Sequence, residues 1–337
     1  MRAVFVEMVT MAGLENAGLG YHVDDGKETF AAHVNKDSRL YHWGSCAKAL
    51  AATVVAVLVD EGALRFDTTL MELGWPKAAA AEGATIEHLL RHEAGIVEDL
   101  SEARLAELTQ ATQDLTPQEA RRIFVAELET IAPLHAVAGA TLGPYSNAGY
   151  VLLSHLLERR CDRSWEELVQ DKVSGPLGMK TLGFGMGDIV GHDEDDAPKP
   201  GFRDAKFSHC PFALHSNLED WSRFLGLFQR LLGGAEDAMH PLKICNATAT
   251  RLITPSPVGP ITGLELPPGY AAGWRTRWED AAQQPYGLLW HMGTNFVTQS
   301  ACLVTANLTA VVSSNSGSMM LRFAIREGFE KLLAEMK

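Results

Sequence analysis

The chain has 337 residues, 46% apolar and 21% charged, a composition that excludes a disordered protein and allows one large or two medium cores. Acidic side chains outnumber basic ones by 42 to 29 and the net charge is −13, which argues against nucleic acid, anionic membranes or strongly anionic substrates as main partners. No apolar run approaches the roughly 18–20 residues that a membrane span needs.

The chain opens on MRAVFVEMVTMAG, which is apolar but carries Glu7 and lacks an apolar core followed by a small-residue cleavage site. This stretch reads as a strand, Ala3–Met8, and not as a leader, so the chain as written reads as cytoplasmic. A protein whose leader had been removed would look the same, and its compartment would then be periplasmic or extracellular. Leu19–Val23 and Thr29–Val34 are further strands, joined by the turn signal Asp24-Asp25-Gly26. After Ser45 the character changes: Lys48–Asp60 is apolar all round, as in a helix buried in a core, and stops at Glu61-Gly62.

Helices then dominate to about residue 240. Thr85–His92 and Thr116–Ile131 open on capping residues, the second with proline at its first turn. Asn147–Arg160 and Leu218–Leu232 are periodic at helical spacing. The stretches Phe184–Phe202 and Thr254–Pro268 read as loops. Strands return at Gly269–Arg277, Leu288–Met292, Thr298–Thr305 and Thr309–Ser314, and Met319–Met336 is a closing amphipathic helix. The simplest account is an α+β fold with an antiparallel sheet built from both chain ends and a mainly helical domain inserted between them. Its sheet domain would comprise 1–44 and 265–337, its helical domain 45–264, with the active site where they meet.

Three strings carry chemistry. Ser45-Cys46-Ala47-Lys48 places a hydroxyl and an amine at i and i+3, on one face of a helix start. An apolar helix desolvates the ammonium, which favours a neutral amine base, and the Ser45 N–H can serve an oxyanion. A chain this long contains about one such string by chance, so its position at a strand-to-helix switch is what gives it weight. Tyr145-Ser146-Asn147 follows the turn Gly143-Pro144 and enters a helix. A tyrosine near an ammonium has its phenolate favoured, and the asparagine amide can hydrogen-bond both the lysine and a substrate carbonyl. Packing for Tyr145 and an N-cap for Asn147 are the alternatives. His291-Met292-Gly293 reads as strand, with Gly293 permitting close approach, the Thr294 N–H available as a second oxyanion donor, and His291 able to meet a substrate carboxylate or the tetrahedral intermediate.

In this order the strings resemble the class C β-lactamase-related serine hydrolases, a penicillin-binding-protein-like superfamily that includes DD-peptidases, class C β-lactamases, D-aminopeptidases and lactamase-fold esterases. The resemblance extends through ATIEHLLRHEAGI, SWEELVQDKVSGPLGMKTLGFG, HSNLEDWSRF and LLWHMGTNFVTQSACLV, and so covers most of the chain. It implies the β-lactamase/transpeptidase-like fold, Ser45 as nucleophile, Lys48 and Tyr145 as the proton-transfer pair, and Asn147 as substrate-orienting. It further implies His291 at the family's Lys/His position, before Gly293, with the Ser45 and Thr294 N–H groups as oxyanion hole. Two departures matter. The third motif is His-x-Gly where class C β-lactamases carry Lys-Thr-Gly, and Met292 stands where the family often has a hydroxyl or amide that grips a carboxylate. Both tilt the expectation toward an esterase-like acyl-enzyme hydrolase of small esters or amides. A D-amino-acid peptidase or DD-carboxypeptidase, a weak β-lactamase and a catalytically silent binding module are the alternatives. The expected partner is a small-molecule substrate, with no cofactor and no metal.

Other features have blander readings. His88 and His92 have metal-ligand spacing, but no His-Glu-x-x-His pattern or third ligand accompanies them, so both read as structural. The acidic run His192–Asp196 reads as a solvated loop or the rim of a cleft. Trp43 and Trp290 either wall the acyl pocket or pack, and Cys46 reads as core. The five scattered cysteines read as reduced, mostly buried thiols.

Overall fold

A computed structural model describes residues 1–34, 39–75, 83–131, 145–255, 269–276 and 287–335. Its centre is a five-stranded antiparallel sheet in the order β2-β1-β10-β9-β8. Strands β1 (Leu19–Asp24) and β2 (Thr29–Val34) come from the start of the chain; β8 (Leu289–Thr294), β9 (Gln299–Val304) and β10 (Thr309–Ser314) come from its end. β1 pairs with β10, Tyr21 opposite Val312, so the two chain ends close one sheet as expected.

Helices cover both faces of this sheet, which is why β9 and β10 are buried at every position. On one face Ala301, Leu303, Ala310 and Val312 meet α1 (Arg2–Ala12) and α11 (Met319–Glu335); on the other Cys302, Val304 and Val311 join the large core. The first element corrects the sequence reading: 2–12 is a helix, not the strand Ala3–Met8. Val4, Phe5, Met8 and Ala12 are its buried residues, at a spacing that only a helix puts on one face, and Gly13 ends it in the left-handed region. Alternation in MRAVFVEM mimics a strand over six residues, too short a window to show the helical period.

Between the two halves of the sheet runs the expected helical region. The short β3 (Tyr41–His42) leads through a 3-10 turn, Gly44–Cys46, into α2 (Ala47–Asp60), whose residues Ala47 to Leu58 are all buried. α3 (Ile86–Leu90) and α5 (Pro117–Leu128) open on capping boxes at Thr85 and Thr116, and α4 (Glu102–Ala111) lies between them. His88 is part of the first box, its Nδ1 accepting the Thr85 N–H at 3.1 Å. The order continues with α6 (Asn147–Cys161), α7 (Trp165–Val169), α8 (Gly175–Leu177), β4 (Gly183–Phe184), β5 (Gly191–His192), β6 (Pro198–Lys199), β7 (Leu214–Ser216), α9 (Leu218–Leu232) and α10 (Asn246–Ile253). α9 packs against β1, β9 and β10 and so joins the helical region to the sheet.

Residues 269–276 form a tight turn and not the expected strand. Only isolated bridges occur there, Tyr270 with Arg275 and Arg275 with Trp290. The turn at Gly273 (φ +75°) lies so close to α2 that an added Cβ would sit 2.5 Å from the Lys48 carbonyl oxygen. The turn Gly143-Pro144 and most of the loop Thr254–Pro268 lie outside the described residues.

Trp43 is fully buried, stacked on Trp221 at 4.4 Å, and Trp290 packs in the core beside α1 and α11. Asp196 of the acidic run accepts the backbone N–H groups of Glu15, Asn16 and Ala17, and Asp193 pairs with Lys199. The five thiols are unpaired; Cys46, Cys210 and Cys302 are buried, Cys161 is partly buried and Cys245 exposed.

Candidate active site

Ser45 lies in the 3-10 turn that starts α2, and Lys48 follows one helical turn later, so the predicted proximity is present: Lys48 Nζ is 3.3 Å from Ser45 Oγ. The ammonium is fully buried. It donates to Asn147 Oδ1 at 2.8 Å and to the Pro211 carbonyl at 2.9 Å. Desolvation is the dominant influence and lowers its pKa to about 7. A neutral amine beside the serine is therefore accessible near neutral pH.

Asn147 is the first residue of α6. Its capping alternative falls to Ser146, whose hydroxyl accepts the Gly149 N–H at 2.8 Å. This leaves the Asn147 amide free to hold the lysine. Tyr145 lines the pocket, and its phenol is buried beside Ser45 without a fully formed hydrogen bond. The expectation of a favoured phenolate is corrected here. Burial pushes the phenol pKa up, only partly opposed by Ser45 and Arg275. The lysine does not offset this because Nζ meets the ring face, 4.6 Å from its centroid, and not the oxygen. Tyr145 therefore stays protonated, whereas the neutral form of Lys48 is accessible.

The third string forms β8 beside the turn that holds Ser45. Gly44 (φ +53°) and Gly293 touch backbone to backbone: an added Cβ on Gly293 would lie 2.3 Å from Ser45 N, and one on Gly44 2.9 Å from Thr294 N. No side chain fits there, so the glycine of His-x-Gly brings the Ser45 and Thr294 amides to one point of the pocket wall. Gly293→Ala is expected to push these amides apart and lower kcat/KM by about 10²-fold, the usual cost of losing an oxyanion donor. An ester assay beside a thermal melt checks it; an alanine variant with full activity and an unchanged melt would contradict the contact.

His291 Nδ1 donates to the Met292 carbonyl at 2.7 Å, and Nε2 faces the Tyr270 hydroxyl at 3.5 Å. Burial, then Arg275 and Lys48, hold its pKa well below the usual histidine value. It is a neutral imidazole, unsuited to pairing with a carboxylate by charge.

The pocket these residues share has a volume of about 160 Å³ and is lined by Ser45, Tyr145, Arg275, His291, Met292, Gly293, Thr294, Gln299 and Arg322. Three of its residues escaped the sequence reading. Arg275 is held by backbone hydrogen bonds to Trp290 and lies over that indole at 5.3 Å. Arg322 comes from the first turn of α11, and Gln299 starts β9. Among the described residues no carboxylate lines this pocket, whose charged side chains there are the two arginines. His92 was also undervalued: it lies beneath the site in the left-handed region (φ 61°), packed on Tyr145, Tyr150 and Tyr270, and its Nδ1 accepts the Ser146 N–H at 3.0 Å. Asp99, beside Asn147, has its pKa raised by burial to about 6. Helical spacing alone could have flagged Tyr150, three residues after Asn147 on one face; nothing local flags Arg275 or Asp99.

The sequence model of the Beta-lactamase family matches residues 12–334, and the chain belongs to that family. It has the β-lactamase/transpeptidase-like fold. A curated relative, the unguisins hydrolase of Aspergillus campestris (strain IBT 28561), is 23% identical over 334 residues, covering 89% of this chain and 58% of its own. Penicillin-binding protein 4 of Amycolatopsis lactamdurans is 30% identical over 156 residues, 43% of this chain and 36% of its own. The chain thus spans less than two thirds of either relative. Among solved structures, the penicillin-binding protein of Bacillus halodurans superposes with a TM-score of 0.72 at 19% identity, covering 98% of this chain and 99% of the other.

Proposed function

We propose that this protein is a serine hydrolase that acts through an acyl-enzyme on small esters or amides bearing an anionic group near the scissile bond. The observation that carries the reading is the buried Lys48 amine, its pKa lowered to about 7, within 3.3 Å of Ser45 Oγ at a pocket lined by two arginines. Ser45 Oγ attacks the carbonyl carbon while Lys48 takes its proton. The negative charge on the carbonyl oxygen is met by the Ser45 and Thr294 N–H groups. Lys48 returns the proton to the leaving oxygen or nitrogen, with the neutral Tyr145 hydroxyl beside Ser45 as a further hydrogen-bond donor, the acyl bond to the leaving group breaks, and water repeats the sequence to release the acid.

Esterase chemistry remains within this proposal. Met292 cannot grip a carboxylate, but Arg275 and Arg322 supply what that residue lacks, which favours substrates such as peptides with a free C-terminal carboxylate over neutral esters. The net charge of −13 belongs to the chain as a whole, whereas the charged side chains that line the pocket among the described residues are Arg275 and Arg322.

A panel of matched esters and amides, with and without a carboxylate, tests this. Arg275→Met is expected to raise KM for the carboxylate-bearing members by about 10–100-fold, the worth of a charged hydrogen bond, and to leave the neutral members unchanged. Equal effects on both sets would sink the anion preference. A fluorophosphonate that adds no mass to the intact chain would speak for a silent binding module instead.

A further inference from the structure

We propose that His42 and Asp204 form a buried positioning pair that holds the two oxyanion-binding amides, those of Ser45 and Thr294, at a fixed separation. The inference rests on the hydrolase reading above and concerns residues that do not line the pocket.

His42 ends β3, two residues before Gly44. Its Nε2 is 3.0 Å from Asp204 Oδ2, and the two side chains are 0% and 1% exposed. The other carboxylate oxygen, Oδ1, accepts Asn295 Nδ2–H at 2.9 Å. Asn295 Oδ1 accepts the Thr298 hydroxyl at 2.7 Å, and Thr298 Oγ1 lies 3.2 Å from His42 Nδ1. Thr298 gives its one hydroxyl hydrogen to Asn295, so its contact with Nδ1 is packing; the circuit runs from His42 through Asp204 and Asn295 and ends at Thr298. It has two outlets to the backbone that matters: Gly44 N–H donates to His42 Nδ1 at 3.2 Å, one residue before Ser45, and Asn295 directly follows Thr294. Ser313 on β10 also donates to the His42 carbonyl at 3.0 Å, tying the circuit to the sheet.

Proton positions follow from the fixed donors. The Gly44 amide hydrogen has no rotational freedom and points at Nδ1, so Nδ1 holds the lone pair and the ring proton sits on Nε2, facing Asp204. Burial alone would raise the Asp204 pKa, but His42 and the hydrogen bonds from His42 and Asn295 hold it below the usual carboxylate value. Burying an ionised carboxylate costs solvation that apolar residues of the same volume would not lose. Its use here is geometric. Asp204 accepts two hydrogen bonds at once and selects the tautomer that leaves Nδ1 open to Gly44.

Asp204→Asn keeps the volume but offers one acceptor where there were two. Either Asn295 or His42 then faces an NH₂ group, and a ring that moves its proton to Nδ1 strands the Gly44 amide. The acceptor itself can be isolated with two double variants, His42→Asn/Asp204→Asn and His42→Leu/Asp204→Asn. The first keeps an amide oxygen able to reach the position of Nδ1; the second removes it. With p-nitrophenyl acetate, kcat/KM is expected to fall about 30-fold or more in Asp204→Asn, the lower range for a displaced oxyanion donor. It should recover to within about tenfold of wild type in the asparagine double variant, and stay down about 100-fold in the leucine one. Melting curves taken beside the kinetics separate this from loss of the fold, since a purely structural role would not rescue one double variant over the other.

Equal activities of the two double variants, or an Asp204→Asn enzyme within threefold of wild type, would overturn the proposal. Should none of the acidic-site variants fold, Thr298→Val decides. It removes one link and no charge; at least a tenfold loss is expected, and an unchanged kcat/KM counts against the circuit. Ser45→Ala in the same assay keeps the two readings apart. Full activity there would end the hydrolase reading itself, whereas an inactive Ser45→Ala beside a normal Asp204→Asn would end only the positioning role.

Discussion

Ser45→Ala is expected to lower kcat/KM by about 10³-fold or more on any ester or amide the protein turns over, with binding of the same compound little changed. The size follows from how such units behave: nucleophile and base act together, so removing the nucleophile removes nearly the whole covalent route and leaves what the oxyanion site and binding supply. The geometry supports a unit of this kind. Ser45 Oγ has the Lys48 amine on one side and the Tyr145 phenol on the other, and its own amide lies at the Gly44–Gly293 contact. Because the side chain is small and borders the pocket, the alanine variant should melt within a degree or two of wild type. Steady-state kinetics and intact mass after incubation with substrate check the expectation; an alanine variant that still turns over substrate at near wild-type rate would remove Ser45 from the mechanism.

Lys48→Met should have two effects of opposite sign. Activity is expected to drop by about 10³-fold, the loss of a positioned base together with its hold on the serine. Stability at pH 6 should rise. Folding lowers the lysine pKa from 10.5 to about 7, with desolvation as the main cause. Between those values the folded chain binds fewer protons than the unfolded one, so stability climbs with pH across the window. Below pH 7 the full burden of burying the charge is present, on the order of 5 kcal/mol. Methionine removes that burden, but it leaves the Asn147 and Pro211 acceptors without their donor, at about 1–3 kcal/mol in all. A net gain of about 2–4 kcal/mol at pH 6 is expected, shrinking and then reversing as pH approaches 9–10. Denaturant melts at several pH values check this, and a methionine variant less stable at pH 6 would contradict a lowered lysine pKa. The same ionisation sets the rate profile. In the wild type kcat/KM should rise about tenfold per pH unit up to roughly 7 and then level, as the amine loses its proton; Tyr145, its pKa raised, adds no limb in that range.

Some of this was legible from one dimension because its physics is local. Lys48 follows Ser45 by one helical turn, and an apolar run around it foretells both the burial and the lowered pKa. Capping boxes at Thr85 and Thr116, and the strands β1, β2, β9 and β10, likewise depend on neighbours a few residues away. Where the local signal was brief it misled: MRAVFVEM alternates like a strand, yet α1 is a helix because Val4, Phe5, Met8 and Ala12 find the sheet and α11 on one side. The phenolate expected at Tyr145 failed for a related reason. Proximity to a lysine is readable from a motif, but whether the ammonium meets the oxygen or the ring face is a matter of three-dimensional placement.

By itself the sequence determined the sheet from both chain ends, the buried helix after Ser45 and the closeness of Lys48 to Ser45, since each follows from periodicity, spacing or residue chemistry. Only the tertiary structure decided the rest. It brought Arg275 and Arg322, one from a turn and one from the last helix, into the same pocket, and it linked His42, Asp204, Asn295 and Thr298 across segments far apart in the chain. It also gave the glycine of His-x-Gly its reason, a backbone contact at Gly44 too close for any Cβ. The dividing line is physical: hydrogen bonds and hydrophobic periods within one element leave a trace in neighbouring residues, whereas the electric field and the shape of a pocket are sums over groups that meet only when the chain has folded.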